Sequence, residues 1–259
     1  MRIVTLNVNG LRAAARKGLF PWLAAQGADV VCLQEIRASE AQLAGEAFQL
    51  PGYHRYLFPA RRPGYSGVAL YCRRRPDRVR AGLGFLQADE EGRWLEAEFG
   101  RLTVASLYLP SGSAGPARQA AKYAFMDRLY EALAAMARRR RRYVICGDWN
   151  IAHKPIDLKN WRANQQHSGF LPEERAWLDR LFGEVPGGQR WVDGFRVVNQ
   201  EPGQYTWWSN RGRAWEKNVG WRIDYQVLSP GLRGAVAGAA IYRGERFSDH
   251  APLIMDYDL

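Results

Sequence analysis

Apolar residues in this 259-residue chain fall in short runs: RIVTL, DVVCL, VALYC, LTVASLYL, YVICG, WRIDYQVL and LIMDY, most of them closed by Gly, Pro, Asn or Asp. Short β-branched runs bounded by turn formers predict strands. Two segments have helical spacing instead. From Pro116 to about Arg140, Phe125, Leu129, Leu133 and Met136 recur at steps of four, four and three and form one apolar stripe. After Pro172, Glu173 and Glu174 occupy a first turn, with Trp177, Leu178, Leu181 and Phe182 behind them. Strands alternate with helices early and dominate late, which fits a mixed sheet system covered by helices better than a regular parallel barrel. No linker, low-complexity block or repeat divides the chain, so a single domain over 1–259 is expected.

Charge changes the picture more than composition does. With 37 Lys and Arg against 26 Asp and Glu, the formal charge is +11, which favours a polyanionic partner through counterion release. The run Arg138–Arg142 is read as the last turn of the long helix, where cations complement the helix dipole as a solvated face. Cys32, Cys72 and Cys146 are odd in number, far apart and each within an apolar run, which predicts reduced, buried thiols and no zinc site. The first residues read as a strand rather than an export signal, and no apolar run reaches membrane-spanning length. A soluble, cytoplasmic protein with no membrane partner is the expectation.

Polar residues follow or interrupt the strand runs: Asn7 and Asn9 after RIVTL, Gln34 and Glu35 after DVVCL, Tyr108 in ASLYLPSG, Asp148 and Asn150 after YVIC, Asp224 in GWRIDYQVL, and Asp249 with His250 before APLIMDY. Each alone is the kind of residue that caps a turn. If the strand ends converge, four carboxylates, a histidine and several amides share one crevice. Such carboxylates either have a compensating cation or have raised pKa values. Oxygen donors without thiolates favour Mg²⁺ or Mn²⁺. A metal of this kind neutralises a phosphate while a carboxylate positions and deprotonates a water for in-line attack. Asp148 and Asn150, at i and i+2 of an extended strand, would face the same side.

The ordered segments LNVNGLRA, CLQE, GYSGVALY, GDWNIAH, SGFLPEER, NVGWRIDY and FSDHAPL resemble the exonuclease III class of AP endonucleases, within the endonuclease/exonuclease/phosphatase superfamily. SDH is common to the superfamily, whereas NVGWRID, GDWNIAH and GFLPEER are specific to this branch. The resemblance implies a four-layered α/β sandwich, two mixed sheets packed face to face and flanked by helices, with the active site at one edge. It implies Mg²⁺, with Mn²⁺ as a substitute, held principally by Glu35. Asn7, Asn9 and Asp249 lie near the metal or hold its waters, and Asn9 stands where some relatives carry Asp. Asp148 orients or deprotonates the attacking water, with Asn150 and Asn7 fixing the geometry and both Asp148 and Asn150 close to the metal. His250 and Asp224 match a hydrogen-bonded pair that contacts the scissile phosphate, and Tyr108 donates to it.

The same resemblance places Trp207, Trp221 and Ile223 on the walls of a pocket for a flipped lesion sugar, and Arg211 where a side chain inserts at the lesion. Arg37, Tyr65, Arg93, Asn160 and Asn164 fall at phosphate-contact positions. The implied partner is double-stranded DNA with abasic sites, nicks or blocked 3′ ends, bound by a monomer. One departure is His167 in NQQHSGF, where the family pattern has Asn. An imidazole there hydrogen-bonds a phosphate, crowds a flipped sugar or is a neutral surface change; on the crowding reading, 3′-phosphatase and 3′→5′ exonuclease activity are expected ahead of cleavage at internal abasic sites. Two rival readings are a non-catalytic nucleic-acid-binding regulator on the same fold and another phosphoesterase of the superfamily, such as a non-specific nuclease.

Overall fold

In the computed structural model, which describes residues 1–259, two six-stranded sheets lie face to face. The longer strands are β1 (Arg2–Asn7), β2 (Val30–Gln34), β3 (His54–Phe58), β4 (Val68–Cys72), β5 (Arg78–Ala81), β6 (Trp94–Phe99), β7 (Leu102–Tyr108) and β8 (Arg142–Asp148). They are followed by β9 (Val192–Asp193), β10 (Trp207–Trp208), β11 (Gly220–Trp221), β12 (Asp224–Leu228), β13 (Val236–Ile241) and β14 (Leu253–Tyr257). The first sheet has the order β13-β14-β1-β2-β4-β3 and the second β5-β6-β7-β8-β12-β9, each mixing parallel and antiparallel pairs. Helices α1 (Leu11–Arg16) and α2 (Leu19–Gln26) cover the outer face of the first sheet. After α3 (Leu86–Glu90), helices α4 (Pro116–Ala137) and α5 (Pro172–Leu181) cover the second, and α6 (Gly194–Val198) follows. The four layers are those the resemblance implies.

Because both faces of each sheet are covered, central strands such as VVCLQ and VALYC are buried along their whole length. Strand parity then sorts their side chains. Outward residues such as Val4, Leu6 and Val31, or Ala105, Leu107 and Ile145, pack on the helices. The inward residues change character along each strand: Ile3, Thr5, Asn7 on β1; Val30, Cys32, Gln34 on β2; Val144, Cys146, Asp148 on β8; and, in reverse, Leu228, Gln226, Asp224 on β12. The inter-sheet layer is thus apolar at one pole and polar at the other. Midway, Gln34 Nε2 donates to Thr5 Oγ1 at 3.1 Å and Ser106 Oγ at 2.9 Å, and Tyr257 Oη donates to Gln226 Oε1 at 2.8 Å. These paired amides and hydroxyls satisfy one another inside the sandwich.

Three sequence expectations change. The long helix ends at Ala137 with Arg138 as its C-cap, so Arg139–Arg142 do not form its last turn; they make the turn into β8, whose first residue is Arg142. β8 also ends at Asp148, and Asn150 has a left-handed backbone (φ 52°), so its side chain reaches Asp148 through a turn rather than by strand alternation. WRIDYQVL is two pieces, with Asp224 the first residue of β12. The apolar stripe of α4 and the α5 face are buried as their spacing requires. Cys32, Cys72 and Cys146 are free and buried, as their apolar runs require. No helix is long and apolar enough to cross a membrane.

Candidate active site

At the polar pole, strand register brings the chemistry together. Asp148 lies between Tyr108 on β7 and Asp224 on β12 in direct cross-strand register. Gly147 makes the preceding step possible: a Cβ there would collide with the Leu107 carbonyl of the neighbouring strand. Asp148 Oδ1 accepts from the Asn150 backbone N–H at 2.8 Å, while Oδ2 accepts from Asn7 Nδ2 at 2.9 Å and Asn150 Nδ2 at 3.2 Å. Asn7 also donates to Glu35 Oε2 at 2.8 Å, so one amide bridges the two carboxylates. Asn9 Nδ2 donates to Asp249 Oδ1 at 2.9 Å, and Trp207 Nε1 to Asp249 Oδ2 at 3.1 Å. His250 Nδ1 is 2.8 Å from Asp224 Oδ2, and its Nε2 is 3.8 Å from Asp148 Oδ2.

These groups line a cleft of ≈ 710 Å³ whose walls include Asn9, Glu35, Arg37, Tyr108, Asp148, Asn150, Asn164, His167, Trp207, Trp221, Ile223, Asp249 and His250. Seven non-glycine residues in the chain have positive φ, and four of them, Asn9, Glu35, Arg37 and Asn150, line this cleft. Backbone strain of this kind persists where the surroundings enforce it and concentrates at functional sites.

Electrostatics follow from burial and neighbours. Burial pushes the Asp148 carboxyl up to about 7; the charge of Asp224 adds to the rise, while His250 and hydrogen bonds from Asn7 and Asn150 oppose it. Burial alone would lower the His250 pKa, but Asp224, through both charge and hydrogen bond, and the charges of Asp148 and Asp249 raise it to about 10. Tyr108 is pushed well above its ordinary value, first by burial and then by the charge of Glu35. Burial would raise Asp249, but His250 and the hydrogen bonds from Asn9, Trp207 and Ser248 hold it below the usual carboxylate value. At neutral pH the pocket therefore presents an imidazolium and a phenol as donors beside a carboxyl poised near 7.

Two sets of donors bear on metal binding. Asp148, Asp224 and His250 each offer a ligand atom within 4.8 Å of the others. His250 is committed to Asp224 at 2.8 Å, and an ion between them would break that pair. Glu35 is the more accessible group: its side chain is 12% exposed and faces the cleft, and Arg37 Nη2 lies 2.6 Å from Oε1. A carboxylate already matched by a solvent-exposed cation, with amide and carboxylate oxygens around it, fits a hard divalent ion.

The other sequence-derived positions are arranged as follows. Trp207 and Trp221 face each other edge to face, ring centroids 6.3 Å apart, and with Ile223 make the apolar end of the cleft. Arg211 and Asn160 are exposed outside the cleft lining. Tyr65 is part-exposed and accepts from Arg93 at 2.9 Å and Arg118 at 3.3 Å. Arg93 is only 2% exposed, with its guanidinium over the Tyr108 ring at 4.6 Å and bonded to the Tyr108 carbonyl. It holds Tyr65 and Tyr108 from behind and offers no surface to a phosphate.

Ser111, Gly112, Ser113, Gly115 and Gln119, outside the sequence-derived set, form one lip of the cleft. The Gly/Ser content of LPSGSAGP after a strand was the available signal. Lys122, also outside that set, is fully buried within α4. Its Nζ donates to the Asn150 carbonyl at 2.8 Å and pairs with Glu174 at 2.5 Å, while Glu174 Oε2 accepts from the Gly169 and Leu171 N–H groups at 2.6 and 3.0 Å. This ion pair ties the Asn150 turn to the loop carrying His167. Removing it without touching a cleft residue should misplace Asn150 slightly. Lys122→Met is expected to slow phosphoester hydrolysis by ~10-fold, short of the ~10²-fold that a 1 Å misplacement can cost. Steady-state kinetics at matched folded fraction checks this; an unchanged kcat would reduce the pair to a purely structural one.

The comparisons agree with this geometry. The endonuclease/exonuclease/phosphatase family matches residues 4–250. An exodeoxyribonuclease of Bacillus subtilis is 36% identical over 98% of both chains, and a DNA repair nuclease of Danio rerio is 36% identical over 98% of this chain and 81% of that one. Among solved structures, an AP endonuclease from Archaeoglobus fulgidus superposes with a TM-score of 0.89 at 27% identity, covering 100% of both chains. A 3′ phosphatase from Neisseria, bound to a product DNA hairpin, gives 0.88 at 27% with 100% of both chains covered. The register that sets Asp148 between Tyr108 and Asp224, the His250–Asp224 pair and these full-length likenesses agree: this chain belongs to the endonuclease/exonuclease/phosphatase family, in its exodeoxyribonuclease III/AP endonuclease branch.

Proposed function

We propose that the protein is a Mg²⁺-dependent DNA repair phosphoesterase that acts chiefly at 3′ ends of duplex DNA, as 3′-phosphatase and 3′→5′ exonuclease, with internal cleavage at abasic sites restricted by His167. The observation that carries this reading is the in-register row Tyr108, Asp148, Asp224 with His250 above it, opening on a cleft that also holds Glu35. Mn²⁺ would substitute by the same oxygen donors.

In this reading Glu35 would hold the metal, with Asn7, Asn9, Asp249, Asp148 and Asn150 as the oxygen and amide groups beside it. When bound, the ion neutralises phosphate charge and stabilises the leaving oxygen. Asp148 orients the attacking water and takes its proton, a task suited to a carboxyl near 7. Asn7 and Asn150 hold the two Asp148 oxygens in place. His250, kept protonated by Asp224, donates from Nε2 to a phosphate oxygen, and Tyr108 donates its phenol proton, both contacts strengthening as charge develops. Arg37, Tyr65, Asn160 and Asn164 engage the backbone, and Arg93 steadies Tyr65 and Tyr108. Trp207, Trp221 and Ile223 receive the terminal sugar, and Arg211 faces the duplex beside them. The likeness to a Neisseria 3′ phosphatase bound to a DNA hairpin supports the substrate class.

A panel of defined duplexes (abasic, nicked with 3′-phosphate, recessed 3′ end), assayed with Mg²⁺ and with chelator, tests the reading. Release of phosphate and mononucleotides is expected with Mg²⁺ alone; a wild type inert on all three would return the chain to a non-catalytic binder. His167 is exposed on the rim of the cleft, its backbone N–H bonded to the Asn164 carbonyl at 2.9 Å. His167→Gly and His167→Asn are expected to raise abasic-site cleavage ~10-fold or more while leaving 3′-phosphate release within about 2-fold, since a surface side chain contributes little to stability. Equal abasic cleavage by all three proteins would remove the steric role.

A further inference from the structure

The arginine run that the helix was expected to absorb lies elsewhere. Arg139, Arg140, Arg141 and Arg142 form the turn between α4 and β8, and with Arg101 from the β6–β7 hairpin they line a groove of ≈ 350 Å³ in which every lining residue is arginine. A second groove of ≈ 680 Å³ shares Arg142 and adds Arg73 and Arg74. Of these seven arginines only Arg141 is in an ion pair, with Glu98 at 3.3 Å. The one acidic side chain in the two linings, Asp29, already accepts from the Arg2 N–H at 2.6 Å. The scaffold is held: Arg142 N–H donates to the Arg101 carbonyl at 2.9 Å, Arg101 Nη2 to the Arg140 carbonyl at 3.4 Å, and Arg141 Nε to Thr103 Oγ1 at 3.1 Å.

This surface is at the pole opposite the cleft. β8 carries Arg142 at one end and Asp148 at the other, and the span of this seven-residue strand separates them by ~20 Å. A duplex seated in the cleft would have to turn back through about half a circle to reach the arginines, far beyond what a polymer of ~150 bp persistence length does within a short site.

We infer that the arginine pole is a second, non-catalytic docking site for the phosphate backbone of duplex DNA, so that one protein holds two duplex segments, one in the cleft and one at the far end of the same strands. Guanidinium forks match phosphate oxygens bidentately and read no base. The pole would therefore bind undamaged DNA of any sequence and keep the protein tethered while the cleft samples ends. Between the two anionic surfaces on offer, DNA fits better than a lipid surface at the arginine turn itself, because the five-arginine groove has no apolar residue in its lining to enter a bilayer, whereas Met1, Val30, Phe99, Leu102 and Leu259 lie only in the adjoining groove. The inference rests on the proposed DNA reading only for the choice of polymer.

The test is bridging. Donor- and acceptor-labelled blunt duplexes with blocked 3′ ends, mixed with wild-type protein at low salt, are expected to give energy transfer and a complex of two duplexes per monomer in sedimentation. Arg139→Ser/Arg140→Ser/Arg142→Ser should abolish the transfer and lower the salt slope of duplex binding by roughly 2–3, while 3′-phosphate release from a short hairpin stays within about 2-fold. Replacing the same three by Lys, which keeps the charge, should restore bridging. One duplex per monomer for wild type, bridging that survives the Ser substitutions, or loss of binding to phosphatidylserine vesicles with duplex binding untouched would overturn the inference. Wild type that bridges but cleaves nothing would instead defeat the catalytic reading and leave this one standing.

Discussion

Asp148→Asn is expected to lower kcat for 3′-phosphate release by ~10²–10⁴-fold, the range associated with a positioned general base, with KM changed little. The substitution keeps an oxygen to accept from the Asn150 N–H, so the turn after β8 is preserved. It removes the charge that takes the water's proton and presents an amide donor where Asn7 and Asn150 also donate. Because the loss is confined to the transition state, it appears in kcat rather than in binding. Single-turnover rates with saturating Mg²⁺, alongside duplex binding in chelator, separate the two. Undiminished cleavage would show that Asp148 is not the group acting on the water.

His250→Gln is expected to cost ~10²–10³-fold in kcat, the magnitude of one preorganised donor to a developing oxyanion, and also to change how stability depends on pH. Folding raises the His250 pKa from 6.5 to about 10, so the folded state binds that proton more tightly than the unfolded chain. The resulting stabilisation is complete below about pH 6.5 and is lost as pH rises through about 10. Asp148, moved from 3.8 to about 7, acts in the same direction in a lower window: the fold holds a proton that the unfolded chain has released, so stability falls between about pH 4 and 7. Metal-free wild type should therefore lose a few kcal/mol of stability between pH 5 and 10, and His250→Gln should flatten the part above pH 7. Urea titrations in chelator at several pH values measure this; parallel curves for the two proteins between pH 7 and 10 would contradict a raised His250 pKa.

Much of the layout was legible along the chain. The seven apolar runs all contribute strand, and the α4 stripe and α5 face are buried as their periodicity requires. Strands β3, β5, β6 and β13, and the two-residue β9 and β10, escaped. β6 (WLEAEF) alternates apolar residues with Glu96 and Glu98, whose charges Arg80 meets from β5 at 3.9 and 2.6 Å, and β13 (VAGAAI) is mostly Ala and Gly. Such strands are made by their neighbours rather than by their own propensity. Arg93 shows the same limit within the site: a cation in a motif reads as a phosphate contact, and only packing reveals that it stands behind two tyrosines.

The sequence by itself determined which chemical groups are available and where on each strand they fall, because burial of both sheet faces forces long apolar stretches to end where polar residues begin. It could not determine that Asn7, Glu35, Tyr108, Asp148, Asp224 and His250 share one pole. That depends on the register of β7, β8 and β12 and on two sheets stacked with their polar ends together. Nor could it place Asn150 through a left-handed turn, or hold that turn with a lysine from α4. Pairings in the site between residues as much as 240 positions apart, as in Asn9 and Asp249, are decided by tertiary packing, since local propensity carries no information about which strand ends will meet.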